Sequence, residues 1–285
     1  MEKPKYYVAS FSGGKDSTAM VLHLIELGEQ IDEVVCCDTY KEFPEMYRHI
    51  EKVKKVIEGA GIKFTILRAA RSFDEYMFEY MPKRKTTNKV QHRGKGWATA
   101  RMRWCTGELK KDVIRKYFNE VSKTHEVIQY VGIAADEGYR LKREGNQKED
   151  KRYPLVDWGW DEKTCLAYCY QKGYDWGGLY EIFDRVSCWC CPLKTLEELR
   201  RLRKHCPALW EELKDMDERS WNQFRNDYSV KDLEKRFELE EALIRKGQST
   251  ANRAFHADLK RLLAGEATIE EILQEREAQQ RIQPD

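Results

Sequence analysis

Phe11-Ser12-Gly13-Gly14-Lys15-Asp16-Ser17 joins two unlike patterns. Before it, Tyr6-Tyr7-Val8-Ala9 is an apolar run of the kind a buried strand needs. After it, Met20, Val21, Leu24, Ile25 and Leu27 recur at helical spacing, and Gly28 supplies a stop. A glycine-rich turn between a strand and a helix start therefore opens the chain. Paired glycines let backbone approach a ligand closely. The free N–H groups and positive end of the following helix favour an anion such as phosphate. Lys15 adds a point charge, and Ser12 and Ser17 add hydroxyl donors.

Two familiar phosphate loops do not fit. A Walker loop needs Ser or Thr after Gly-Lys and a glycine five residues before the second Gly; here those positions hold Asp16 and Ala9. No G-x-G-x-x-G is present for a dinucleotide fold. An ordinary tight βα turn would also carry Gly-Gly, but Ser-Gly-Gly-Lys-Asp-Ser at that junction is more specific. It resembles the pyrophosphate loop (PP-loop) of the adenine-nucleotide α-hydrolases, which split ATP between its α- and β-phosphates. Lys15 and Asp16 are then expected to act in catalysis.

With 285 residues the chain can bury one good core and a second, smaller one. Charged residues make up 35% and the mean hydropathy is −0.78, so a soluble protein is expected. No run of about 18 apolar residues occurs, so no membrane span is expected. Met1-Glu2-Lys3-Pro4 lacks the apolar core of a signal peptide, which points to the cytoplasm. A net charge of +2 does not by itself indicate a nucleic-acid binder. Nine cysteines in a reducing compartment are expected as thiols, metal ligands or cluster ligands rather than disulfides.

Farther along, Ile31 to Cys37 reads as a second strand ending at Asp38-Thr39. Pro44 opens a helix that runs to Gly59 on an apolar stripe of Met46, Ile50, Val53, Val56 and Ile57. Phe64 to Leu67 reads as a third strand and Val127 to Ala134 as a fourth. Ser72 is expected to cap a helix to about Tyr80, and Thr106 another to about Phe118. Alternating strands and helices predict an α/β fold, a parallel sheet with helices on both faces. After Trp158 the character changes to charged amphipathic helices. We expect a nucleotide-binding α/β domain over residues 1–160, and over 161–285 a cysteine-containing segment with a smaller, mostly helical C-terminal region. The tail from Ala267 to Arg281 reads as a frayed or partner-bound helix.

The Ser12 loop is followed, in order, by Asp38-Thr39 with Glu42-Phe43-Pro44-Glu45, by Arg103-Trp104-Cys105-Thr106, by Gly132-Ile133 with Glu137 and Arg140, and by Pro154-Leu155 with Trp158. This ordered set resembles the phosphoadenosine phosphosulfate (PAPS) reductase-like family over residues 6 to 195. The resemblance implies nucleotide contacts from Ser10, Ser12, Gly13, Gly14, Lys15, Asp16, Ser17, Asp38, Thr39, Gly132, Glu137 and Arg140. One departure is Ala134, where the family often has Arg after Gly-Ile; Arg140 and Arg143 could replace that contact. Read from the residues alone, Asp38 could hold Mg²⁺ through water, bond the nucleotide, or cap its own turn. Arg140 could clamp a phosphate or simply be solvated.

Lys83 to Arg103 holds eight Lys or Arg and no Asp or Glu. It reads as a long loop that closes on a polyanion, either a nucleotide or the backbone of tRNA or DNA, or else as a solvated charge run.

Cys188-Trp189-Cys190-Cys191-Pro192 is a second chemical centre. Cys188 and Cys191 have C-x-x-C spacing, which suits one metal or cluster. Cys105, placed before a helix start where thiolate is favoured, is the third candidate. In cluster-containing members of the superfamily that this chain resembles, such a set holds a [4Fe–4S] cluster. Cys190 is left as a fourth ligand or a persulfide carrier. A Zn²⁺ site from Cys165, Cys169, Cys188 and Cys191 is the rival. Cys36 and Cys37 read as inert strand thiols.

These features predict an ATP-dependent, pyrophosphate-releasing sulfur-transfer enzyme that uses ATP, Mg²⁺ and a [4Fe–4S] cluster and could act on a nucleic acid. The sulfur donor and the oligomeric state are not legible. One alternative is a sulfonucleotide reductase, against which stands the lack of any cysteine after Cys206. The other is a nucleotide-binding subunit of a complex, with the C-terminal helices as its docking surface.

Overall fold

The computed structural model describes residues 2–81, 92–142 and 150–282. Two compact units divide the chain, Met1–Cys191 and Pro192–Asp285.

The first unit is built on five parallel strands: β1 (Lys5–Phe11), β2 (Glu33–Cys37), β3 (Lys63–Leu67), β4 (Glu126–Val131) and β5 (Lys151–Arg152). Their spatial order is β3-β2-β1-β4-β5. The parallel register places Phe11 opposite Cys36, and Ser10 between Val35 and Val131. A parallel sheet covered on both faces needs near-continuous apolar central strands. Val8, Ala9, Phe11, Val34, Val35 and Cys36 meet that need and are buried. The chain steps outward from β1 through β2 to β3, then returns to the other side of β1 as β4. This reversal opens a crevice at the carboxyl ends of β1 and β4, where ligands bind in open α/β sheets.

Helix α1 (Lys15–Glu26) leaves β1 at that crevice, and α2 (Pro44–Gly59) leaves β2 with Pro44 in its first turn. Met46, Ile50, Val53 and Ile57 of α2 are buried; Val56, expected in the stripe, is 42% exposed. The expected Ser72 cap is present, with Glu75 N–H donating to Ser72 Oγ at 3.2 Å. The helix it caps runs over 73–79, two α-helical residues followed by a π-helical turn, Glu75–Glu79. Thr106 does not cap its helix. The helix begins one turn earlier as α3 (Trp104–Thr106), widens to a π-helical run over Gly107–Lys111, and continues as α4 (Asp112–Val121). The extra residue of a π turn shifts side-chain phase, which a 3.6-residue pattern does not reveal.

Short helices α5 (Pro154–Asp157) and α7 (Leu179–Ile182) flank α6 (Glu162–Gln171). α6 lies on α1 and buries Cys165 and Cys169 completely. The change of character near residue 160 is therefore not where the compact units part; that division falls after Cys191.

The second unit is helical: α8 (Leu196–His205), α9 (Pro207–Arg219), α10 (Val230–Arg245), α11 (Arg253–Ala264) and α12 (Ile269–Ile282). Thr195 with Glu198 and Ser229 with Asp232 form capping boxes on α8 and α10. Leu239, Leu243, Phe255, Leu259, Leu262 and Ile272 form one core, so the tail helix is packed rather than frayed. Buried Glu240 accepts from Arg236 Nε at 2.8 Å and from Arg200 Nε at 2.5 Å. Removing one member of such a pairing strands a buried charge. Among the described residues no helix is long and apolar enough to cross a membrane.

Candidate functional site

Ser12 to Ser17 forms a closed turn at the carboxyl end of β1. Ser17 Oγ accepts from Ser12 N–H at 3.1 Å and donates to the Gly14 carbonyl at 3.1 Å. Ser12 Oγ lies 3.1 Å from Ser17 Oγ. Gly13 has φ +80°, and a Cβ there would stand 2.7 Å from Met46 Sδ and 2.9 Å from Ile50 Cγ1. Only glycine satisfies both the dihedral and the space. Gly132, just past β4, has the same kind of role. A Cβ there would lie 3.1 Å from the Ser17 Cα, so its bareness lets the crevice wall approach α1. Ser10 stays within β1, its hydroxyl accepting from Gln129 Nε2 at 2.7 Å.

Buried Lys15 is the cation of this turn. Its Nζ lies 2.5 Å from Glu162 Oε2 and 3.1 Å from Asp16 Oδ1. Burial alone would lower its pKa, but the Glu162 and Asp16 carboxylates outweigh that and hold it raised. Burial pushes Asp16 up, and Glu162 and Glu137 push it farther against the pull of Lys15. The centre thus holds one firm positive charge among carboxylates that repel one another. An incoming polyphosphate would take over Lys15 from Glu162. Glu137 is itself ion-paired with Arg140, so Arg140 meets a ligand only by exchanging partners. Arg143 lies outside the described residues.

The turn is also held by residues far along the chain. Trp176 Nε1 donates to the Gly13 carbonyl at 2.7 Å, and Lys15 N–H donates to Tyr180 OH at 3.0 Å. Cys169 Sγ faces the Lys15 carbonyl at 3.5 Å. His49 shares a 2.9 Å hydrogen bond with Thr18 Oγ1 and stacks on Trp176 at 4.3 Å between centroids. Burial, with Lys52 adding, pulls the His49 pKa down to about 3. Because the folded pKa is depressed, His49 supports the fold fully above about pH 6.5, and that support is lost as pH falls toward 3. We expect urea unfolding to report about 2 kcal/mol less stability at pH 5 than at pH 7 from this residue. His49→Gln should flatten that slope; an unchanged slope would show that His49 is not its source.

Asp38 ends β2 as a turn cap. Its carboxylate accepts from Tyr40 N–H at 2.8 Å, Tyr47 OH at 3.0 Å and Arg68 Nε at 3.0 Å. Three donors occupy most of its acceptor capacity, so it fits poorly as a direct Mg²⁺ ligand. Thr39 turns the other way. Its Oγ1 donates to Glu42 Oε1 at 2.8 Å and lies 3.4 Å from Cys188 Sγ, which itself faces Glu42 Oε1 at 3.4 Å.

Cys188 thereby joins a thiol group beside β2. Cys191 lies close enough to raise the pKa of both Cys105 and Cys188, after burial as the main cause; Cys188 reaches about 12. Lys110 Nζ stands 3.9 Å from Glu42 Oε1, and Cys188, Glu42, Cys37 and Cys105 all raise its pKa against the cost of burial. Cys105, Cys188 and Cys191 are partly accessible, whereas Cys190 is 1% exposed and its thiol is held neutral by burial. Cys190 lies toward buried Lys41, which pairs with Asp74 at 3.2 Å and sits over the Trp189 ring. Cys165 and Cys169 instead face the Ser12 turn, with Asp16 and Lys15 as their charged neighbours. The four-cysteine zinc set is thus split between two places. Among the described residues no three His, Cys, Asp or Glu side chains stand together for a single metal ion. An iron–sulfur cluster is larger than one ion and takes soft thiolates that need not converge on a point. Cys105, Cys188 and Cys191, partly exposed and grouped around Cys191, could offer such thiols.

Of the basic segment, residues 82–91, including Lys83, Arg84, Lys85 and Lys89, lie outside the described residues. Within the described part, Lys95 pairs with Glu108 at 2.8 Å. Sequence reasoning missed Glu162, Trp176, Tyr180 and Lys110. None carries a local motif, and each reaches its site only through the fold.

Two uncharacterized proteins of Methanocaldococcus jannaschii resemble this chain. MJ0066 is 29% identical over 252 residues, covering 85% of this chain and 45% of its own length. MJ0973 is 24% identical over 226 residues, covering 76% and 49%. The chain thus spans about half the length of the curated relatives it matches. A solved structure, the U34-tRNA thiolase NcsA from Methanococcus maripaludis with its [4Fe-4S] cluster, overlaps with a TM-score of 0.37 at 16% identity, over 76% of this chain and 73% of that one. The phosphoadenosine phosphosulfate reductase domain model matches residues 6–194, the β1–β5 sheet, the Ser12 turn and the thiol group together, and the chain belongs to that family.

Proposed function

We propose that this protein cleaves ATP between the α- and β-phosphates, releases pyrophosphate, and transfers sulfur to the activated substrate. The observation that carries the reading is the nearness of two unlike centres. A glycine-rich turn leaves β1, and a group of partly exposed cysteines gathers beside the end of β2, the adjacent strand. In this reading the Ser12–Ser17 turn and Lys15 hold the pyrophosphate portion and stabilise the charge that develops as it departs. Asp16 and Glu162 set the position of Lys15. Cys105, Cys188 and Cys191 would hold an iron–sulfur cluster, which when bound would supply an iron site for sulfur. Glu42 and Thr39 orient Cys188, and Lys110 supplies positive charge beside the thiols. Cys190 serves packing in this reading. Mg²⁺ would accompany ATP through its phosphates.

The test is anaerobic purification followed by iron and acid-labile sulfide analysis and a pyrophosphate-release assay with ATP and a sulfide source. Pyrophosphate and AMP from a protein holding both elements support the reading. Sulfite from PAPS or adenylyl sulfate would favour the reductase reading, which the matched domain's name also supports. ATP binding without pyrophosphate release would leave only a nucleotide-binding subunit.

A nucleic-acid acceptor is supported by the charge of Lys83 to Arg103. Binding of tRNA or DNA is then expected to weaken steeply with salt, because each neutralised phosphate releases a counterion. Changing Lys83, Arg84 and Lys85 together to Ala should flatten the log–log salt slope by up to about three. Salt-independent binding, or none, would assign this segment to a small substrate.

A further inference from the structure

We propose that Tyr180 is a further ligand of the anion bound by the Ser12–Ser17 turn, donating its phenolic O–H to a phosphate oxygen; this rests on the nucleotide reading above.

The Tyr180 oxygen already accepts from the Lys15 N–H at 3.0 Å, so its own proton is the donor that remains. Among the described residues that proton has no acceptor. Lys15 is the first residue of α1, and its amide is one of the free N–H groups at the positive helix end. A hydroxyl that accepts from such a group becomes a stronger donor in turn. Tyr180 thus extends the helix end by one hydrogen bond. The hydroxyl stands 3.5 Å from where a Cβ of Gly14 would be, beside the bare glycine that caps α1. Burial, the main cause, holds the phenol's pKa above its ordinary value, with Asp16, Cys169 and Glu162 adding; the Lys15 amide opposes them. The proton therefore stays on the oxygen at neutral pH.

The backbone that delivers Tyr180 is strained. Trp176, Gly177 and Gly178 have φ of +51°, +60° and +83° in succession. Positive φ in a bulky residue is a genuine outlier, and such strain persists where surrounding structure fixes it. Here Trp176 is fixed by its bond to Gly13 and by His49, and its ring meets that of Tyr180 edge-on at 4.8 Å. Gly177 N–H is held by Asp175 Oδ1 at 3.0 Å. One short strap therefore sets both the Gly13 carbonyl and the Tyr180 hydroxyl.

The experiment is calorimetric titration of wild type and Tyr180→Phe with ATP, pyrophosphate and AMP. Loss of a hydrogen bond to a charged group should raise Kd for ATP and for pyrophosphate alike, by about 10- to 150-fold, with AMP unchanged. The melting temperature without ligand should fall only modestly, as the Lys15 N–H loses its acceptor. A fluorinated tyrosine at position 180 keeps ring and size but ionises more readily. With it, pyrophosphate affinity should fall as pH rises through the fluorophenol's titration, which wild type will not show. Equal affinity of wild type and Tyr180→Phe, with no such pH effect, overturns the inference and leaves the nucleotide reading standing. Equal losses for AMP and pyrophosphate would make Tyr180 a structural support and also overturn it. If wild type binds neither ATP nor pyrophosphate, the nucleotide reading itself has failed.

Discussion

Lys15→Ala is expected to lower pyrophosphate release from ATP by about 10²- to 10³-fold, the loss seen when one preorganised electrostatic group is removed from a transition state. The ammonium is buried and pre-aimed by Glu162 and Asp16, so little reorganisation is needed when pyrophosphate departs. Water cannot replace it well, because burial is what makes the charge effective. The fold should survive. Glu162 is 41% exposed and can turn to solvent, while Asp16, already pushed upward by burial, can take up a proton. Circular dichroism and thermal melting check the fold, and a coupled pyrophosphate assay reads the loss. Release within a few-fold of wild type would remove Lys15 from the chemistry. Asp16→Ala tests the same turn independently.

Iron should be lost almost completely from Cys191→Ser protein purified without oxygen, and largely from Cys105→Ser and Cys188→Ser. Cys191 is the common neighbour of the other two, so its loss removes the thiol that links them. A hydroxyl is a poor ligand for a soft metal site. Two controls sharpen the result. Cys36→Ser changes a buried strand thiol, pushed up to about 12 by burial, and should keep its iron. Cys190→Ser should also keep iron but melt earlier, since it places a hydroxyl in a 1% exposed position, at a cost of about 1–3 kcal/mol if unpaired. Iron loss in Cys190→Ser would make that residue a fourth ligand. Full iron after loss of Cys105 would place any cluster elsewhere.

The parts of the fold legible in the sequence are those encoded by neighbours. The Ser12 turn dictates its own geometry through Gly13, and the strands before and after it carry continuous apolar runs. The short strand β5 was not legible, because two residues hold no periodicity. Thr106 misled because a π-helical run hides the true helix start one turn earlier. Cys165 and Cys169 invited pairing with Cys188 and Cys191 on spacing alone, yet α6 turns them toward α1. Glu162 and Tyr180 look like ordinary helix residues until the fold carries them to Lys15.

That dependence on distant residues has a consequence for biosynthesis. The Ser12 turn is closed by partners 163 and 165 residues later, Trp176 and Tyr180. Contacts of such sequence separation form slowly, because the loop entropy must be met before they contribute. A ribosome that has delivered β1, α1 and even all five strands has still not delivered the strap that fixes the turn. If the proposed nucleotide site is right, nascent chains should acquire nucleotide affinity only after residue 180 has cleared the exit tunnel, so that ATP would report on completion of the first unit but would not template its early steps.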